Sequence, residues 1–182
     1  VVHAFWAAGD SSWFNDIQRI KDLVNGWKQA CNDAKATWGG GETPSYNNIV
    51  IKEAIALGGS SVGIIKSQKR LLTETKLQEK DRIILLKSSG INANGISLAR
   101  AIAKKLPKGY GTKLKDGKIY GEALLTKTNI YAELIQDLLN NKINIHYISN
   151  ITGHGLRKIM RARQNFTYII EKIFEPQEIF NF

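Results

Sequence analysis

The chain has 182 residues, enough for one large domain or two small ones, and 43% of them are apolar with only three prolines, so it can bury a core and is not disordered. A formal net charge of +10 points to nucleic acid, an acidic membrane surface or phosphorylated small molecules, against the bland alternative of a solvated lysine surface. No apolar run approaches the roughly 18 residues of a membrane span, no signal-peptide pattern is present, and the single cysteine, Cys31, excludes an internal disulfide framework and fits a reducing cytoplasm.

The opening "VVHAFWAA" is a short apolar run suited to a strand, closed by Gly9, Asp10 and Ser11. With no initiator methionine and Met160 as the sole methionine, this strand-first opening predicts part of a longer protein. A helix follows, because Trp13, Ile17, Ile20, Val24, Trp27, Cys31 and Ala34 recur at spacings of four and three and so share a face. Asp10, Ser11 or Ser12 can cap its first amides. Trp27 and Cys31 belong to this packing stripe, and no partner marks the thiol as a nucleophile. "KATW" reads as a strand that ends in "GGGETPSYNN". "IVIKEAIALGGSSVGIIKS" reads as a bulged strand, given Gly58, Gly59 and Gly63.

The polar run "QKRLLTETKLQEKD" marks a domain junction, and "DRIILLK" a buried strand. Helices are expected over "NGISLARAIAKKL", through Ile96, Ala99, Ile102, Ala103 and Leu106, and over "TNIYAELIQDLLNN", through Ile130, Tyr131, Leu134, Ile135 and Leu138. "KINIHYISNI" and "FTYIIEKIF" read as strands, "GLRKIMRAR" as a short basic helix, and "EPQEIFNF" as a helix start with Pro176 in its first turn. Strands alternating with helices predict α/β or α+β layers. The lysines are dispersed, dense only in "KKLPKGYGTKLKDGK" and "LRKIMRAR", and no zinc-finger, RNA-binding or basic-zipper pattern occurs. Anionic small molecules are therefore favoured over nucleic acid as ligands.

Three loops at strand ends carry the chemistry. In "SSGINANG" the hydroxyls of Ser88 and Ser89 and the amides of Asn92 and Asn94 surround glycines and lead into a helix, whose unpaired first amides suit an anion. A tight turn with asparagine caps explains the same letters equally well. In "ITGHGLRKIMR", Gly153 and Gly155 flank His154, with Arg157, Lys158, Arg161 and Arg163 nearby. That composition fits a phosphate site, with His154 a proton donor, a phosphate ligand or merely an exposed loop residue. In "GGGETP", Glu42 emerges from three glycines and could hold Mg²⁺ for a nucleotide, orient an amide or ribose hydroxyl, or lie in a mobile surface loop. His3 and His146 have no ligand-spaced partners and read as packing or surface residues, so no zinc site is expected.

Taken in order, "GGGETP", "SSGINANGISLAR", "GEALLTKTNIY" and "ITGHGL" resemble the phosphoribosylformylglycinamidine cyclo-ligase family, the aminoimidazole ribonucleotide synthetases. In that family a GGET loop precedes SSG-x-x-x-NG-x-SL-x-R, then GEALL-x-PT-x-IY, then TGGGL or TGHG. The resemblance covers nearly the whole chain, and the GEALL string is its most discriminating part. It implies ATP-dependent ring closure of formylglycinamidine ribonucleotide to aminoimidazole ribonucleotide in purine biosynthesis, with ATP and Mg²⁺ as cofactors. It also implies a cytoplasmic homodimer whose partner is a small-molecule nucleotide; the composition adds no membrane, and disfavours nucleic acid. The implied fold is a partial ATP-binding, dimerising N-terminal domain over residues 1–75 and an α/β/α C-terminal domain over 76–182, its final strands missing.

By that resemblance Gly40, Gly41, Glu42 and Thr43 form the loop facing nucleotide and metal, with Glu42 as catalytic carboxylate and Mg²⁺ ligand. Ser88, Ser89, Gly90, Asn94, Gly95 and Ser97 form a substrate- or phosphate-facing loop, joined by Asn92 from the local reading. Thr152, Gly153 and Gly155 form a second such loop, around His154. Two departures stand out: Asn92 and Ala93 replace a histidine and serine frequent in the family, and Lys127 replaces the proline before Thr128. The ATP- and Mg²⁺-binding segments of the family lie upstream of residue 1. The alternative is a diverged, non-catalytic nucleotide-binding paralogue or fragment that acts as a binding or regulatory module.

Overall fold

A computed structural model describes residues 1–181; Phe182, the last letter of "EPQEIFNF", lies outside the described residues. The chain divides into two compact units, residues 1–71 with 130–143, and residues 72–129 with 144–182.

The first unit is built on a β-α-β crossover. Strand β1 (Val2–Ala8) is followed by a 3-10 turn over Ser11–Asn15, helix α1 (Ile17–Asp33) and strand β2 (Trp38–Glu42), which returns parallel to β1. Strand β3 (Ile55–Ser61) pairs antiparallel on the other side, giving the order β2-β1-β3. The apolar stripe of "SSWFNDIQRI" is thus split in two. Asp10 accepts from the Ser12 amide at 2.8 Å to start the 3-10 turn, and Asp16 accepts from the Arg19 amide at 3.0 Å to start α1.

Ala4, Trp6 and Ala8 alternate along β1 and are buried. Trp6 meets Trp27 of α1 edge-on, with ring centroids 5.6 Å apart and planes at 74°, and meets Trp38 of β2 at the same separation. A side chain at Gly59 of β3 would lie 3.1 Å from Trp27, so the helix rests on a glycine-floored sheet. The expected bulge in the third strand is absent; the register shift lies between Val2 and His3, on the β1–β2 side. Helix α4 (Ala132–Asn140) also belongs to this unit, where Lys35 pairs with Glu133 at 3.2 Å.

The second unit carries helix α2 (Ile96–Ala103) and the short helix α3 (Tyr120–Leu124). Ala103, Leu114, Tyr120, Ala123 and Ile179 form its core, with Ile91, Ile102, Leu106 and Leu124 packed against it. Three sequence expectations are corrected here. "DRIILLK", "KINIHYISNI" and "FTYIIEKIF" form no strand among the described residues, and the unit's one bridge joins Lys113 to Ile119. Ile84 is 81% exposed and Ile169 72%, so these runs are not buried either. An apolar β-branched run makes a strand only where a neighbour supplies ladder partners, and none of the three runs supplies them to another. The basic segment after TGHG is a 3-10 helix, Gly155–Arg161, and "EPQEIFNF" holds one 3-10 turn, Glu178–Phe180. The chain is mixed helix and sheet, of α+β character.

Candidate functional site

In the first unit, the GGGE segment is not a loop but the body of β2. His3 lies opposite Gly40, Ala4 opposite Gly41 and Phe5 opposite Glu42. A methyl group on Gly41 would come within 2.7 Å of the Ala4 carbonyl oxygen, so close strand approach requires the glycine. The Trp38 indole N–H donates to the Gly40 carbonyl at 2.8 Å and fixes the turn of the strand. Glu42 ends the strand, exposed and without a hydrogen bond or ion pair among the described residues. Thr43 follows, also exposed, before Pro44 and Tyr46 anchor the chain to Ala8 by main-chain bonds of 3.0 and 2.7 Å. No group of three His, Cys, Asp or Glu side chains able to hold a metal occurs among the described residues. Glu42 is thus a single exposed carboxylate at the end of β2.

In the second unit, the "SSGINANG" letters fold into a self-bonded turn. Ser88 Oγ donates to the Gly90 carbonyl at 3.0 Å, and Ser89 Oγ donates to Asn92 Oδ1 at 3.2 Å. Asn92 Nδ2 reaches Ser88 Oγ at 3.4 Å, and Gln177 donates to the Ser88 carbonyl. Gly90 is buried beneath the loop, and Asn129 clamps its entry by donating to the Lys87 carbonyl at 3.0 Å. Asn92 sits at φ +52 and Gly95 at φ +72, the left-handed geometry that asparagine and glycine tolerate. Gly95 is the N-cap of α2, so no side chain covers the first-turn amides, and Asn94, Gly95 and Ser97 are exposed there.

The TGHG turn closes through a 2.7 Å bond from the Gly155 amide to the Thr152 carbonyl, leaving Gly153, His154 and Gly155 exposed. A side chain added at Gly153 would meet Asn94 Oδ1 at 3.5 Å. Two loops distant in sequence, 88–95 and 152–155, are therefore adjacent. Lys158 Nζ donates to Thr152 Oγ1 beneath the turn. His154 is exposed and makes no hydrogen bond among the described residues.

Two features escaped the sequence reading. His146, expected to be a packing or surface residue, is hydrogen-bonded to Asp81: Nδ1 lies 2.7 Å from Asp81 Oδ2, and Nε2 lies 2.8 Å from the Asn144 amide. That pair ties the segment entering the SSG loop to the segment entering the TGHG turn. The hydrogen bond from His146 is the main cause holding the Asp81 carboxyl below the usual carboxylate range, with help from the Gln78 amide. Tyr120, just before the GEALL string, is 1% exposed and donates to the Ala99 carbonyl at 3.0 Å, locking α3 to α2 behind the loop. An acidic residue and a histidine heading two apolar runs were the available signal for the first; nothing local announced the second.

Residues 78–158 match the family model "AIR synthase related protein, C-terminal domain". This chain is 38% identical over 141 residues to the phosphoribosylformylglycinamidine cyclo-ligase of Pseudothermotoga lettingae, covering 76% of this chain and 40% of that protein. Residues 78–158 carry a domain of the AIR synthase related family, and the chain is similar to phosphoribosylformylglycinamidine cyclo-ligases. Identity to the enzyme so named from Methanocaldococcus jannaschii is 33% over 88% of this chain and 45% of the relative. For Lachnoclostridium phytofermentans it is 33% over 87% and 47%. The chain thus spans about half the length of the cyclo-ligases it matches, and the matched family segment contains both adjacent loops of the second unit.

Proposed function

We propose that this chain contributes the substrate-holding part of an ATP-dependent cyclo-ligase that closes formylglycinamidine ribonucleotide to aminoimidazole ribonucleotide. The observation that carries the reading is the adjacency of Asn94 and Gly153, which joins two exposed, side-chain-poor loops into one surface. Such a surface accepts phosphate oxygens closely and selects phosphorylated ligands over neutral ones. In this reading residues 1–75 belong to a nucleotide-binding, dimerising domain and residues 76–182 to the substrate domain of a cytoplasmic homodimer.

The chemistry drawn from ATP–Mg²⁺ is phosphorylation of the formyl oxygen, which makes it a leaving group for attack by the amidine nitrogen. The protein's part is positioning and charge neutralisation. The Ser89–Asn92 turn and the uncapped amides of α2 orient the substrate, the TGHG turn closes over its anionic end, and Glu42 serves as the carboxylate facing nucleotide and metal. Among the described residues no helix is long and apolar enough to cross a membrane.

A specific observation favours a second reading, a binding paralogue without turnover. Where the family frequently has histidine, Asn92 turns its amide inward onto Ser88 and Ser89, and an amide supplies no titratable proton at that position. Calorimetry of the polypeptide with formylglycinamidine ribonucleotide and ATP–Mg²⁺, coupled to a product assay, separates the two. Binding with product supports the ligase, and binding without product supports the paralogue. Absence of any heat with the ribonucleotide contradicts both.

A further inference from the structure

Lys158 stands apart from the other lysines. Every other lysine of the chain is exposed, whereas Lys158 is drawn in against the TGHG turn. Its ammonium donates to the hydroxyl of Thr152, a neutral acceptor, and no carboxylate pairs with it among the described residues. A half-withdrawn cation with only a hydroxyl for company is under-compensated, because a neutral acceptor returns part of what water supplied. An anion arriving at the turn would complete the charge.

The local fold places that charge. Segment 155–161 is a 3-10 helix, in which residues three apart eclipse, so Gly155, Lys158 and Arg161 line one side. Ile159 and Ala162 are buried and anchor the segment from its other side. Lys158 therefore underlies the same exposed turn whose Gly153 neighbours Asn94, with Arg161 on the same side of the helix.

We infer that Lys158 is the cationic ligand of a phosphomonoester seated on the TGHG turn, and that it exchanges the Thr152 hydroxyl for a phosphate oxygen when the ligand arrives. The inference rests on the proposed substrate site for its location but not on ring closure. Its ligand class is a sugar phosphate, recognised by one ammonium and the main-chain amides of Gly153 and His154, beside the Gly155 amide that closes the turn.

Binding of ribose 5-phosphate and of ribose to the whole chain, with Lys158→Met, Lys158→Arg and the surface control Lys115→Met, tests it. A charge-assisted contact is expected to weaken ribose 5-phosphate binding by about tenfold or more in Lys158→Met, with Lys158→Arg recovering most of it and Lys115→Met unchanged. Ribose should bind alike, and weakly, to all four proteins. Should Lys158→Met misfold, as judged by circular dichroism, the Lys158→Arg comparison and amide shifts of Gly153 and Gly155 on adding the phosphate to the unaltered chain decide. Undiminished binding by folded Lys158→Met, or no phosphate-dependent shift at these glycines, overturns the inference. Lys158-dependent sugar-phosphate binding without any affinity for formylglycinamidine ribonucleotide would uphold it while removing the cyclo-ligase reading. Ribonucleotide binding indifferent to Lys158 would do the reverse.

Discussion

Tyr120 shows how one side chain holds the loop-bearing unit together. Its ring is fully inside the core, and its hydroxyl finds the Ala99 carbonyl. Burial, with Tyr110 nearby, pushes the phenol's pKa up, so it remains a neutral donor. A raised folded-state value leaves this contribution intact below the unfolded pKa of about 10, and stability falls only as pH climbs above it. Tyr120→Phe should cost about 1 kcal/mol in urea denaturation, the net worth of one hydrogen bond. Tyr120→Ala should cost about 3–5 kcal/mol, through the cavity it leaves. Asp81 titrates in the opposite sense. Its folded pKa is depressed by His146, so its contribution is present above the ordinary carboxylate value of about 3.9 and is lost as pH falls through the lower folded value. Denaturation midpoints recorded from pH 7 down to pH 2 should therefore decline less steeply in Asp81→Asn than in the unaltered chain; identical acid limbs would exclude the pair as a contributor. Neither role was legible beforehand. Nothing local marks Tyr120, and His146 lies 65 residues from its partner, beyond any local pattern.

At the scale of elements, glycine decides where backbones come together. Gly41→Ala would push a methyl group to 2.7 Å from the Ala4 oxygen and 3.0 Å from its Cβ, prising β2 from β1. Thermal melts should show a loss of about 1–3 kcal/mol, the usual cost of forcing a methyl into a closed space. Gly95→Ala, at φ +72, should lose about 1 kcal/mol through the left-handed N-cap of α2. The periodic elements were readable: α1 from its four-and-three spacing, α2 and α4 from theirs, β1 from a short run that is apolar but for His3. Boundaries were not, because Asp10 and Asp16 each start a turn and only the second starts the α-helix. The apolar runs at 82–87, 143–151 and 166–174 misled for a different reason. Composition records what a segment would do beside a partner strand, and pairing depends on residues elsewhere in the chain. The GGGE letters misled in the opposite direction, since three glycines suggest a loop yet here let two strands approach closely.

For the whole molecule, the candidate site was legible through motif order more than through charge. The +10 balance narrowed the ligands to anions, but the lysines are spread over the surface and form no groove that composition could reveal. Duplex DNA should accordingly bind no tighter than the non-specific range of about 10⁻⁴–10⁻⁶ M at physiological salt, as measured by fluorescence anisotropy. What letters alone could not supply was that Asn94 and Gly153, 59 positions apart by number, meet across one turn. The central claim is that these two loops act as a single phosphate-accepting surface. A titration of the isotope-labelled chain with formylglycinamidine ribonucleotide, followed by amide chemical shifts, tests it most directly. The account predicts that residues 88–95 and 152–155 shift together along one binding curve. Independent curves for the two loops, or shifts confined to other parts of the chain, would contradict it.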